Sequence, residues 1–205
     1  VLYDTYLNQS QIPPRYREEI QLRPEPEDLE AYETLDQIRQ NIFLWVKQGQ
    51  NLLLCSPYVG NGKTTWATKL LKAYLHEVEQ FYFEEAPALF INVTCFLNEK
   101  RLAISDPTRL SKVNELERQI LNAKVVVFDD LGVKDLSAYD ANNLYYWIDY
   151  RTVSQKSCIF TSNLLPAQLF TLLDPRLYDR VVNYSQVVVF NGGSQRSPVV
   201  SSSIK

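Results

Sequence analysis

A short apolar run, NLLLCS (51–56), opens directly onto PYVGNGKTTWA (57–67), and a helical pattern follows at once. No other stretch constrains the fold as much. A brief, continuous apolar run reads as a strand buried on both faces, which a parallel sheet covered by helices provides. Gly60 and Gly62 let the backbone reach positive φ and approach a bound group closely. A helix starting near Lys63 adds the partial positive charge of its first turn. Inward-turned N–H groups at such a point form a cradle for phosphate oxygens. The cradle would comprise Val59, Gly60, Asn61, Gly62, Lys63, Thr64 and Thr65. Lys63 would reach the β- and γ-phosphates of ATP, or the β-phosphate of ADP, and the Thr64 hydroxyl would ligate Mg2+. Pro57 stands where such loops usually carry their first glycine. It has no N–H and a fixed φ, so the start of the loop must differ from the usual one. The plain alternative is a glycine-rich turn followed by a surface lysine.

The rest of the chain alternates in the same way. An irregular lead-in over 1–26, with four prolines, precedes a long helix over 24–51 that carries Leu29, Tyr32, Leu35, Ile38, Ile42 and Trp45 at helical spacing. After the loop, Ala67, Leu70, Leu71, Tyr74 and Val78 line one helix face. Further strands are expected over 88–96, 124–132, 157–164 and 185–191, with helices over 109–123 and 137–155 and short helical pieces over 166–173 and 175–183. Strands alternating with helices mean a parallel sheet flanked on both faces. In such sheets, ligands bind beyond the carboxyl ends of the strands.

That rule brings two further segments to the loop. VVVFDD ends a predicted strand in Asp129 and Asp130. A carboxylate there can hold Mg2+ against a phosphate loop, which is the role for Asp129, and Asp130 can orient or deprotonate an attacking water. Asn163, closing CIFTSN, can hydrogen-bond the γ-phosphate or the water. Each alone has a simpler explanation, a solvated strand end for the aspartates and a turn for the asparagine. The three together point to a nucleotide crevice.

Composition bounds the rest. The 205 residues fit one α/β domain, and no apolar run is long enough for a membrane helix. Cys55, Cys95 and Cys158 are far apart with a single histidine, His76. They read as reduced, buried cysteines of a cytoplasmic protein, not as a zinc site, and His76 reads as a surface residue. A net charge of −3 excludes a chain coated in basic groups but not a local nucleic-acid groove. Starting at Val1 with no methionine, the chain is expected to be part of a longer or processed protein.

The segments GNGKTT, VVVFDDLG, IDYRTVSQKSCIFTSNL, DPRLYDRVV and VVVFNGGSQR, in that order, resemble the AAA+ domain of DnaC/DnaI-type replicative helicase loaders. The lead-in QIPPRYRE resembles the segment those proteins carry before their first helix. Transposition-helper ATPases of the IstB type share most of this pattern. The resemblance implies an AAA+ P-loop NTPase with a five-stranded parallel sheet flanked by helices and a minimal C-terminal lid, spanning 27–196 between the lead-in and a flexible tail at 197–205. It implies a Walker B pair at Asp129 and Asp130 and a sensor at Asn163. Arg180 would be the arginine finger that reaches a neighbouring subunit's ATP, with Arg176 as the fallback, and Arg196 a second sensor over the γ-phosphate. Pro14 and Tyr16 would lie near the adenine. A trans arginine is worth roughly a thousandfold or more in rate, so such a protein stays slow until it self-assembles through the ATP site. Without the resemblance, Arg176 and Arg180 read as surface groups paired with Asp174 and Asp179.

The implied partners are a hexameric replicative helicase and single-stranded DNA, with no membrane. Lys100 and Arg101, with Arg109, Lys112, Tyr82 and Phe96 near them in sequence, could line a single-strand groove, basic groups on phosphates and aromatics on bases. A solvated helix face with buried aromatics explains them equally. Three functions follow: a helicase loader, a transposition helper that prefers duplex DNA, or a nucleotide-switched interaction module that hardly hydrolyses ATP. Pro57 and the short Asp130 side chain favour the last.

Overall fold

A computed structural model describes residues 2–132 and 136–195. Five parallel strands, β1 (Asn51–Cys55), β2 (Ala88–Asn92), β3 (Val125–Asp129), β4 (Ser157–Ser162) and β5 (Ser185–Val189), form one sheet in the order β2-β3-β4-β1-β5. Alternate residues feed two separate cores. Leu52, Leu54, Phe90, Val125, Val127, Ile159 and Val188 pack with helices α1 (Leu2–Gln9), α2 (Leu29–Gln40), α3 (Ile42–Lys47) and α4 (Lys63–Val78). Leu53, Cys55, Leu89, Ile91, Val126, Phe128, Cys158 and Phe160 face α5 (Val93–Ala103), α6 (Pro107–Asn122), α7 (Ala138–Val153), α8 (Pro166–Leu172) and α9 (Pro175–Tyr178). Burial on both faces is why β1 to β4 read as largely apolar runs, whereas edge strand β5 is partly exposed.

Three elements depart from the sequence expectation. The lead-in is not irregular throughout, because Leu2–Gln9 is helical and buries Tyr6, with Ile12 buried just beyond it. The Tyr6 hydroxyl donates to the Phe81 carbonyl and accepts from the Phe83 N–H, both at 2.8 Å. The Ser10 carbonyl accepts from the Phe90 N–H and so pairs with edge strand β2. The long helix breaks at Asn41, whose backbone leaves the helical region while its side-chain amide donates to the Gln37 carbonyl. The second strand ends at Asn92, not at residue 96. There the Asn92 side chain accepts from the Cys95 N–H and starts a helix from the β-branched Val93–Thr94 pair. Asp106 caps the next helix with Pro107 at its first position. Cys55 and Cys158 are buried as expected, but Cys95 is exposed. His76 is exposed, stacked on Tyr3.

The end of the sheet opposite the site is held by Arg151. This fully buried guanidinium donates to the carbonyls of Ile120 (2.5 Å), Ala123 (2.9 Å) and Ser157 (2.6 Å), and its Nε to the Cys158 sulfur. It satisfies the open carbonyls at the end of α6 and ties them to the first residues of β4. Replacing Arg151 with methionine leaves those carbonyls buried and unpaired. Urea unfolding of Arg151→Met should therefore show a loss of about 3 kcal/mol or more relative to the parent.

Candidate functional site

A cavity of about 640 Å³ opens at the carboxyl ends of β1, β3 and β4. It is lined by all seven cradle residues from Val59 to Thr65, by Asp129 and Asp130, and by Asn163. The strand order explains the meeting. With β4 between β1 and β3, Asn163 falls between the loop and the aspartates, beside the loop strand.

The loop solves the Pro57 problem with a side chain. The buried Ser56 hydroxyl accepts from the Tyr58 N–H at 3.0 Å and from the Asn61 amide at 2.5 Å, stapling the turn across the proline. Gly60 and Gly62 have φ of 83° and 99°, and Gly62 leads into α4. Lys63 is nearly buried. Its ammonium donates to the Tyr58 carbonyl (2.9 Å) and the Asn61 side-chain oxygen (3.1 Å), so it sits within the loop.

Asp129 is the hub. Its Oδ1 accepts from the Thr64 hydroxyl at 2.9 Å and from the Thr161 hydroxyl at 2.7 Å. Burial, with the Asp130 charge a lesser contributor, pushes its carboxyl above the usual carboxylate range, and the hydrogen bonds from Thr161, Thr64 and Asn92 pull the other way. Thr161 Oγ1 also accepts from the Asp130 N–H at 2.9 Å. Asp130 itself has φ of 60°, the left-handed region that aspartate tolerates at a cost. This turn redirects the chain at the strand end, where Asp130 borders the cavity. The carboxylate and hydroxyl oxygens of Asp129 and Thr64 are hard donors of the kind Mg2+ takes, and their separation lets one ion touch both.

The other predicted residues are more scattered. Tyr16 lines the cavity, with its neighbours Pro13 and Arg15, whereas Pro14 does not. Arg180 lies in the π-helical turn Asp179–Asn183, away from this cavity, where it contacts Asp149 and Asp179 at 2.8 Å each and covers the Tyr184 ring. Arg176 stands over Tyr145, 3.7 Å from Asp174. Lys100 and Arg101 sit on α5. Lys100 is bonded to Glu117 at 2.6 Å, and Arg101 is 3.7 Å from Asp140. Phe96 is buried in the core, and Tyr82 is exposed. Arg196 lies outside the described residues.

Sequence reasoning missed Ser56, Asn92, Thr161 and Gln195. Of these, Thr161 had a signal, a hydroxyl two residues before the strand-end asparagine. Asn92 had none, because the strand was read through it.

The sign of the Asp129 effect is fixed by its raised pKa. Stability that the protonated form confers is lost as pH rises from the unfolded value near 3.8 through the raised folded value. The nucleotide-free parent should therefore lose stability relative to Asp129→Asn over that window and show a constant difference above it. Thermal unfolding of both proteins between pH 4 and 8 measures this. Mg2+ binding, which needs the carboxylate, should weaken toward the acid end.

Comparisons with known proteins bear on this cavity. The sequence profile of the family described as IstB-like ATP binding protein matches residues 28–203. A Mycobacterium tuberculosis protein described as ATP-binding, in an insertion sequence, is 26% identical over 157 residues, covering 74% of this chain and 58% of that protein. The chain thus spans little more than half the length of that relative. The crystal structure of the DnaC helicase loader superposes with a TM-score of 0.68 at 22% identity, over 87% of this chain and 100% of that one. DnaI gives the same TM-score at 18% identity, over 88% and 95%. The fold is that of AAA+ P-loop ATPases.

Proposed function

The chain belongs to the family of IstB-like ATP-binding proteins, and from that premise we propose that it hydrolyses ATP as the AAA+ domain of a helicase loader. The observation that carries the nucleotide reading is the convergence of Thr64, Asp129 and Asp130 on one cavity with the glycine-rich loop. In this reading the loop N–H groups hold the phosphates. Lys63 exchanges its Tyr58 and Asn61 contacts for the β- and γ-phosphate oxygens. Thr64 and Asp129 would hold Mg2+, which when bound neutralises charge developing on the transferred phosphoryl group. Asp130 orients the attacking water and takes its proton, and Asn163 fixes the water or the γ-phosphate from the neighbouring strand. The lead-in around Pro13, Arg15 and Tyr16 covers the base, with Pro14 setting its turn.

Arg180 completes the site of a neighbouring copy, with Arg176 as the alternative, and Arg196 senses the γ-phosphate in its own subunit. Arg180 must leave Asp149 and Asp179 to do so, which ties turnover to assembly. The partners are a hexameric replicative helicase and single-stranded DNA. Arg101 is the better of the two basic candidates for the DNA, since Lys100 is largely covered and held by Glu117. The family match and the insertion-sequence relative favour a second reading, a transposition helper acting on duplex DNA.

Calorimetry with Mg·ATP should show binding to the parent and at least about tenfold weaker binding to Lys63→Ala, the loss of one charge-assisted contact set. Asp130→Asn should keep affinity and lose about a hundredfold or more in turnover. Mixing Lys63→Ala with Arg180→Ala should restore part of the turnover that each lacks alone, because one supplies the arginine and the other the loop. No recovery argues against a shared site. Arg101→Glu should weaken single-strand binding and reduce its salt slope by about one. Co-purification with a hexameric replicative helicase supports the loader, and tighter binding to duplex than to single strands supports the transposition helper.

A further inference from the structure

After β5 the chain runs back toward the phosphate loop, and it is held there by a carboxylate that its own helix does not use. Asp28 ends the 3-10 turn Pro26–Asp28 and occupies the position before α2. An aspartate there ordinarily accepts from N–H groups of the helix it precedes. Asp28 makes no such bond. Its Oδ1 instead accepts from the N–H groups of Asn191 (2.7 Å) and Gly192 (3.0 Å), more than 160 residues away in sequence. The residue is fully buried, and its Oδ2 has no hydrogen-bond partner among the described residues. Burying a carboxylate in this way is costly unless it is well paired. The contact also restricts what can occupy position 192. A Cβ there would stand 2.5 Å from Asp28 Oδ2 and 2.9 Å from the Glu25 side chain, whereas one at Gly193 would meet nothing within 4 Å.

The other end of this segment is fixed to the nucleotide cavity. The Gln195 N–H donates to the Gly60 carbonyl at 2.8 Å, in the middle of the phosphate loop. The Gln195 side-chain oxygen accepts from the Arg23 N–H at 3.3 Å, and Gln195 lines the cavity. Residues 191–195 are therefore clasped twice, to the segment before α2 through Asp28 and to the loop through Gly60. Arg196 is the next residue in the sequence.

We infer that Asp28 is a positioning residue for the phosphate loop: by holding residues 191–195 against the Gly60 carbonyl, it favours the loop position that a bound triphosphate selects. The inference rests on the ATP reading proposed above. A loop that shifts when a triphosphate binds moves the Gly60 carbonyl, and with it the Gln195 amide. By linkage, a clasp that favours one loop position favours the nucleotide that selects it. Asp28 does this without touching the nucleotide.

The test is calorimetry on the full chain with Mg2+ and either a non-hydrolysable ATP analogue or ADP. Asp28→Ala should weaken the triphosphate analogue about tenfold and change ADP by less than about twofold, a shift in discrimination that general loosening would not produce. Asp28→Asn keeps an oxygen acceptor and should recover most of the loss. Gln195→Pro, which removes the N–H that reaches the Gly60 carbonyl, should show the same selective loss, and the double variant Asp28→Ala/Gln195→Pro should be no worse than either alone, since both act through one contact. Gly192→Ala, which drives a Cβ onto the Asp28 carboxylate, gives an independent break of the clasp if Asp28→Ala fails to fold, and should reproduce the selective loss. Hydrogen exchange at the Gln195 amide should slow with the triphosphate analogue in the parent and not in Asp28→Ala or in Gly192→Ala. Equal losses for both nucleotides, additive losses in the double variant, or a selective effect of Gln195→Pro with Asp28→Ala unchanged would each overturn the inference. A parent that binds neither nucleotide overturns the ATP reading as well, whereas a parent that binds both and an Asp28→Ala that matches it overturns this inference alone.

Discussion

One carboxylate oxygen accepting from two threonine hydroxyls is the contact on which the site depends. Asp129 Oδ1 meets Thr64, from the first turn of α4, and Thr161, near the end of β4. For both to reach it, β4 must lie between β1 and β3 and all three strands must end level, as the observed order provides. Thr161 then turns the geometry a second time, accepting from the Asp130 N–H and steadying the left-handed residue at the cavity wall. The burial that makes these hydrogen bonds strong also disfavours the ionised carboxylate. Asp129 is thus a group whose charge is poorly accommodated until a cation or equivalent donor shares it.

The parts of this arrangement that could be read from sequence are those whose chemistry is written in consecutive residues. GNGKTT and VVVFDD declare themselves because a loop that approaches phosphate needs glycine, and a strand buried on both faces needs an unbroken apolar run before its polar end. The same local logic misled at β2, where Val93 and Thr94 favour a strand but Asn92, one residue earlier, captures the Cys95 N–H and begins a helix. The prolines at 13 and 14 drew attention from Leu2, Tyr3, Tyr6 and Leu7, whose spacing already described a helix face. Thr161 lies two residues before the recognised Asn163 yet gains meaning only from β4 lying beside β3. Asp28 was unreadable in principle: its position suggests a helix cap, and only the return of the chain after β5 shows what the carboxylate holds.

The AAA+ fold does not by itself select among the activities its relatives perform. What separates a loader from a transposition helper is the surface that meets DNA and partner. On this chain the surface proposed for DNA carries mostly paired cations. Lys100 is matched by Glu117, Arg109 by Glu99 and Asp106, and Arg101 lies near Asp140. Cations already paired gain little from an added phosphate unless assembly rearranges them or brings several chains' groups to one strand. Nucleic-acid affinity in such a protein would be a property of the oligomer.

The same balance governs the nucleotide. Lys63 donates to Tyr58 and Asn61 inside the loop, and Arg180 to Asp149 and Asp179 beyond it. These two of the cations proposed for the triphosphate are therefore satisfied within the isolated chain. Binding becomes an exchange of partners whose net gain is small compared with the strength of each contact. For Lys63 the exchange is local, because the phosphates enter the loop that already holds it. For Arg180 the carboxylates that hold it belong to its own chain, and in the proposed reading a neighbouring copy's triphosphate offers the replacement. On that proposal the site gives up affinity and speed in the monomer, and its activity would report whether a neighbour is present.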